Sequence, residues 1–184
     1  MLTFRRSLIL AAILALTACA TPPQAPVAAP PQSPAPAPGI DWSARANAFR
    51  QHMADSGVQV EVLPEGGGLR LTIPAASAFD SGKSQPAPAL TQPLRRVADA
   101  LAAHPALRAH IVGHTDSVGR EGYNMLLSRQ RARAVRNHLI ALGGIEPARL
   151  SAEGKGEREP RVDNDSEDNR RLNRRIEIRI TLPR

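Results

Sequence analysis

The stretch Gly113–Arg131, GHTDSVGREGYNMLLSRQR, decides how this chain folds. An apolar run, Ala109 to Val112, ends in a turn that presents His114, Thr115 and Asp116, and a helical pattern follows from about Tyr123 to Leu142. Strand, turn and helix in that order make half of an α/β unit, in which the carboxyl end of the strand and the amino end of the helix face one crevice. On a helical wheel with Leu127 at zero, Ala132, Ala134, Val135, His138, Leu139 and Leu142 form one stripe, while Arg129, Arg133 and Arg136 fall on the opposite side. Arg131 falls inside the stripe, one turn after Leu127 and one turn before Val135. A guanidinium there is costly to bury without an anion. The pattern therefore predicts a partner for Arg131, supplied by the protein or by a ligand.

Asp116, at the carboxyl end of the preceding strand, is the candidate within the chain. A carboxylate and a guanidinium facing one crevice can form a plain salt bridge. They can also hold a zwitterion between them, the Asp taking an ammonium and the Arg a carboxylate in a bidentate fork. Spacing alone leaves both open.

Four blocks of this chain resemble the signature of OmpA-like, peptidoglycan-associated lipoprotein domains. They are AFDSGKSQ (Ala78 to Gln85), GHTDSVG with Asn124 and LSRQRA (Leu127 to Ala132), GKGEREP (Gly154 to Pro160) and NRRIEI (Asn173 to Ile178). The resemblance runs from about Leu69 to Leu182. It implies an α+β fold, a β-α-β-α-β-β mixed sheet with helices packed on one side, and a binding module that performs no catalysis. It also implies that Asp116 and Arg131 bind the diaminopimelate of the peptidoglycan stem peptide. Thr115, Asn124 and Leu127 are expected to line the same crevice, Asn124 offering an amide and Leu127 an apolar wall. Phe79 and Asp80 match family positions near the ligand and are expected at the end of the first core strand. Arg174 and Arg175 belong to the last block, where either can add a contact to a carboxylate or simply flank a strand at the surface.

Outward toward the amino terminus, Arg5 and Arg6 precede an apolar run from Leu8 to Leu16, too short to span a bilayer and flanked like a secretory signal. Leu16-Thr17-Ala18-Cys19 resembles a bacterial lipobox, so residues 1–18 are expected to be removed and Cys19 acylated. Each buried acyl methylene contributes about 0.8 kcal/mol, so several chains on one residue anchor firmly. Ala20, rather than an Asp, follows Cys19, which favours outer-membrane lipid as the partner and a domain facing the periplasm. Cys19 is the single cysteine, which excludes an intramolecular disulfide. Residues 19–40 then read as the lipidated Cys and a linker with eight prolines between Ala20 and Gly39. Such a chain forms no core, and extended it reaches roughly 60 Å at about 3.1 Å per residue.

Residues 41–68 read as an extension of one helix and one strand, and 69–184 as the OmpA-like domain. Asp41 is placed to cap a helix in which Trp42, Ala46, Phe49 and Met53 recur at helical spacing. Val58, Val60 and Val62 alternate with polar residues, Pro64 to Gly68 supplies a turn, and Leu69, Leu71 and Ile73 alternate again, which predicts a hairpin. Leu90, Leu94, Val97 and Leu101 mark a helix that stops near His104-Pro105. Leu150 to Gly154 reads as a short strand, Val162 to Leu172 as a polar loop with one helical turn, and Ile176, Ile178 and Ile180 as the final strand.

The chain carries a net charge of +7; losing Arg5 and Arg6 takes 24 basic residues to 22 against 17 acidic, a net of +5. Nucleic acid is disfavoured as the partner by the lipobox and by only five aromatic residues. His110 and His114 do not share a helical face as metal ligands would, so no metal is expected. Gly113 to Gly119 has the first spacing of a phosphate loop, but Arg120-Glu121 stands where Lys-Ser/Thr would bind phosphate. No GxSxG elbow is present and no cofactor is implied. The reading is thus an outer-membrane lipoprotein that grips peptidoglycan, the alternative being an envelope assembly protein acting mainly through a protein partner.

Overall fold

Asp41 begins the first helix: its carboxylate accepts the backbone N–H of Ala44 at 2.9 Å, capping α1 (Trp42–Met53). The structure, a computed structural model, describes residues 40–64 and 67–183. The signal segment, Cys19 and the proline-rich linker lie outside the described residues. β1 (Gln59–Val62) and β2 (Gly68–Pro74) form the expected antiparallel hairpin, paired from Gln59↔Thr72 to Val62↔Leu69. After a one-turn helix, α2 (Ala75–Ala78), the chain runs through α3 (Thr91–Ala103), β3 (Arg108–His114), α4 (Glu121–Gly143) and β4 (Leu150–Gly156). A last helix, α5 (Glu167–Asn173), leads into β5 (Arg175–Thr181).

The five strands make one mixed sheet in the order β1-β2-β5-β3-β4, in which β3 and β4 run parallel and the other neighbours antiparallel. α4 is the crossover between the parallel pair, as such a pair requires. Strand alternation sends Leu69, Leu71, Ile73, Ile111, Ile176, Ile178 and Ile180 into a core shared with Phe49, Leu94, Leu101, Val135 and Leu139 of the helices. The other face of β5 carries Arg175, Glu177 and Arg179, with Glu177 hydrogen-bonded to both arginines. A hydrophobic face on one side and a charged face on the other is what β5 encodes.

Two glycines set how closely α4 lies on the sheet. A Cβ added at Gly113 of β3 or Gly154 of β4 would overlap backbone atoms of Ser128 or Arg129. Ser128 uses that proximity, its Oγ accepting the N–H of Gly156 at 2.9 Å and donating to the carbonyl of Met125 at 2.9 Å. Asn124, Ser128, Ala132, Val135 and Leu139 are consequently the deeply buried side of the helix, and Ala134 and His138 are only half-buried. Leu127 and Arg131 therefore lie along the margin of the buried face rather than at its centre. The margin is where a crevice can open.

Two expectations need correction. The segment Val162 to Leu172 holds seven-residue α5, capped by Ser166 accepting from the Asn169 N–H at 3.2 Å, with Glu167 and Asp168 in its first turn. It buries only Asn173, so it shows no apolar stripe in the sequence. Phe79 and Asp80 do not end a core strand, because α2 intervenes after Pro74; they open the loop that bridges back through Phe79↔Pro86.

Candidate functional site

The carboxyl end of β3, the amino-terminal half of α4, the α2 loop and the end of α5 enclose a cavity of about 620 Å³. Of the nine residues expected at a ligand site, Phe79, Asp80, Thr115, Asp116, Asn124, Leu127, Arg131 and Arg174 all line it. Arg175 does not. As the first residue of β5 it turns to the charged face, binding Glu177 through Nε and Nη2 at 2.9 Å and the carbonyl of Asn173 at 3.3 Å.

Arg131 is 6% exposed. Its Nε donates to the carbonyl of Lys83 at 2.9 Å, and its guanidinium carbon lies 5.0 Å above the centre of the Phe79 ring. Among the described residues no carboxylate pairs with it. Burial lowers its pKa, opposed by the Tyr123 phenol and Asp116, while Arg174 adds to the lowering. A cation in that position has room for an anion and no carboxylate partner among the described residues.

Asp116 already has a partner, and it is not Arg131. Its Oδ2 accepts from Arg174 Nη1 at 2.6 Å and its Oδ1 from the Val118 N–H at 3.1 Å. Arg174 Nη2 continues to Glu167 at 2.6 Å, which in turn accepts from Arg170 Nε at 3.1 Å. The hydrogen bond to Glu167 raises the Arg174 pKa against the lowering by burial, and the hydrogen bond to Asp116 adds a smaller rise. Asn124 also differs from expectation: its amide N–H₂ is spent on the carbonyls of Asp116 and Val118 and on Glu157, at 3.3, 3.1 and 2.7 Å. It shapes the turn rather than offering donors to a ligand. Thr115 hangs its N–H on the Gly156 carbonyl at 2.9 Å, and its buried hydroxyl has no partner among the described residues.

Among the lining residues that escaped the sequence reading are Tyr123 and Glu167. Tyr123 was legible, since Tyr123, Leu127 and Arg131 stand four apart in one column of α4. Glu167 was not, because only the fold brings α5 beside the turn.

Behind the turn, His114 is 1% exposed and neither ring nitrogen has a hydrogen-bond partner among the described residues. Nε2 stands 3.8 Å from Glu177, too far for a hydrogen bond. Burial, then the charge of Arg175, lowers its pKa to about 4, against the opposing charges of Glu177 and Glu159. Glu177 is pushed up by burial but held down more strongly by Arg179 and Arg175, at about 2. A histidine kept neutral when folded stabilises fully above its unfolded pKa of about 6.5, and that contribution is lost as pH falls toward about 4. Glu177 acts only below its unfolded value of about 4.3. Thermal melts between pH 7 and 4 are expected to fall steadily, and His114→Gln should flatten that slope; an unchanged slope refutes the assignment.

A carboxylate and a cation facing one cavity, on a mixed sheet with the helices that flank the opening, define a small ligand-binding module. Among the described residues no cluster of metal-ligating side chains occurs. The chain belongs to the OmpA family, whose model matches residues 78–174, and the family is structural rather than enzymatic. It is similar to the peptidoglycan-binding protein ArfA of Mycobacterium tuberculosis, 40% identical over 101 residues, which cover 55% of this chain and 31% of that one. The cell wall anchor of the T6SS from Pseudomonas aeruginosa superposes with a TM-score of 0.65 at 29% identity, covering 76% of this chain and 98% of that one. The peptidoglycan-associated lipoprotein from Burkholderia pseudomallei gives 0.53 at 30%, covering 56% and 87%. Matches to the outer membrane porin F of Pseudomonas fluorescens span 31% of that protein's length.

Proposed function

We propose that this protein binds peptidoglycan without catalysis, by seating the zwitterionic end of diaminopimelate between Arg131 and Asp116. One observation carries the reading: a buried guanidinium with no carboxylate partner among the described residues faces a cavity that Asp116 also lines. The ligand carboxylate takes the free nitrogens of Arg131 in place of water, and the ammonium joins Asp116 beside Arg174. Leu127 and Phe79 flank the methylenes between. Relatives named for peptidoglycan binding and cell wall anchoring support the same assignment.

Acylated Cys19 and the proline-rich linker would hold this domain beneath the outer membrane, so that the chain ties membrane to wall. No helix among the described residues is long and apolar enough to cross a membrane, and the anchor in this reading is lipid. The test is co-sedimentation of the full chain with purified peptidoglycan, with free meso-diaminopimelate as competitor. Binding that the free amino acid displaces is expected. A chain that sediments alone, or binding indifferent to the competitor, refutes the site and returns the function to a protein partner.

A further inference from the structure

The segment between β4 and α5 is polar and mostly exposed, and Asn164 within it is half-buried. Its side-chain oxygen accepts two N–H groups at once, from the backbone of Ser117 at 3.3 Å and from the amide of Asn173 at 2.9 Å. An amide oxygen has two lone pairs and can serve both donors. Asn173 is fully buried and makes three further hydrogen bonds, accepting from the N–H groups of Arg161 and Val162 at 2.8 and 3.1 Å and donating to the Val162 carbonyl at 2.7 Å. Asn164 therefore links a fixed point at the end of α5 to the turn that carries Asp116.

Hydrogen bonds, not packing, must hold that turn. Ser117, Val118, Gly119 and Arg120 are all exposed, Val118 by 63%, so apolar contacts do not fix them. Asn124 grips the carbonyls of Asp116 and Val118 from α4. Asn164 takes the Ser117 N–H from the side of α5. The backbone carbonyl of Asn164 also accepts from Arg170 Nη1 at 3.1 Å, and Arg170 leads through Glu167 to Arg174 and so back to Asp116. The path closes into a ring that contains both Asp116 and Asn164. The Asp116 carboxylate is thus held twice, through its own oxygen by Arg174 and through the backbone of the next residue by Asn164.

We propose that Asn164 is a positioning residue for ligand binding, which fixes the Asp116 carboxylate where the ligand ammonium must meet it. Asn164 does not line the crevice and acts only through the turn. The proposal rests on the reading of the crevice as a diaminopimelate site. Its contribution comes from ordering the turn before the ligand arrives, so that binding does not bear that entropy. An acceptor is all the geometry requires at this position. Among the described residues the Asn164 N–H₂ has no hydrogen-bond acceptor, so a carboxylate of the same shape can stand in its place.

The experiment titrates the full chain with two probes: a tripeptide blocked at its amino terminus and ending in meso-diaminopimelate, and the same peptide acetylated on the free diaminopimelate amine. Asn164→Ala should fold, because Asn173 keeps its three other hydrogen bonds. It is expected to bind the first peptide about tenfold more weakly than the parent, and the acetylated peptide as the parent does. Asn164→Asp should restore parental affinity for the first peptide in about 1 M salt as well as in dilute buffer, which separates the hydrogen bond from the added charge. In amide spectra of the free protein the Ser117 proton should move upfield in Asn164→Ala and return in Asn164→Asp. Equal losses for the two peptides, unchanged affinity in Asn164→Ala, a failed rescue or a stationary Ser117 resonance overturns the positioning role. A parent that binds neither peptide, with a Ser117 resonance that moves and returns, would keep Asn164 as the residue that positions Asp116 and refute the crevice reading alone.

Discussion

Arg131→Met is expected to abolish peptidoglycan binding while leaving the protein at least as stable as the parent. The two consequences share one cause. Arg131 is buried, burial lowers its pKa, and no carboxylate of the described chain compensates it. An unbranched apolar side chain keeps the contact with Phe79 and removes the desolvation cost, so stability should hold or rise by about 1 kcal/mol. The ligand, by contrast, loses a charge-assisted fork, which contributes about 3 kcal/mol and corresponds to roughly a hundredfold in affinity. Asp116→Asn should weaken binding comparably, with a small fall in melting temperature because Arg174 keeps Glu167. A melting temperature that collapses in Arg131→Met with binding intact would show a structural cation instead.

Gly154→Ala is expected to damage both fold and site. The new Cβ would sit inside the backbone of Arg129 and against the Ser128 hydroxyl that accepts from Gly156. Backbone cannot rotate away as a side chain can, so α4 must lift from the sheet. Overpacking of this kind costs about 3 kcal/mol or more, and a domain of this size should lose roughly 10 °C in melting temperature. Because Arg131 rides on the same helix, binding should weaken even at temperatures where the variant is folded. Gly144→Ala gives the control, since it has a positive φ of 57° but open space around it. Its loss should be near 1 kcal/mol and should spare binding. Equal melting temperatures for the parent and Gly154→Ala would refute the close approach.

The elements with strong periodicity were readable from the residues: the Asp41 cap, the hairpin around Pro64 to Gly68, α3, α4 and the alternating isoleucines of β5. The misplaced arginine was readable too, because a helical wheel exposes a charge on an apolar stripe. Its lack of a carboxylate partner among the described residues was not, for that depends on Arg174 reaching Asp116 first, across 58 residues of sequence. Arg175, as the first residue of β5, shares the face of Glu177 and Arg179, whereas Arg174 ends α5 and lines the crevice, a division that cannot be drawn until the boundary between helix and strand is fixed. α5 stayed hidden because seven residues burying one asparagine leave no pattern to read. The weight of Gly113 and Gly154 was equally invisible, since a glycine in a strand does not announce which helix lies above it.

The bridge from Arg174 to Asp116 also gives the crevice its own counterion. An unpaired pair of carboxylates, Asp116 and Glu167, would offer oxygen to Mg²⁺ and Ca²⁺, which favour such ligands. With Arg174 hydrogen-bonded to both, at 2.6 Å each, that oxygen is occupied by a cation the chain cannot lose. In the reading proposed above, divalent ions would thereby be kept from competing for the site, and a ligand ammonium would need only to join an existing network rather than displace a hydrated metal.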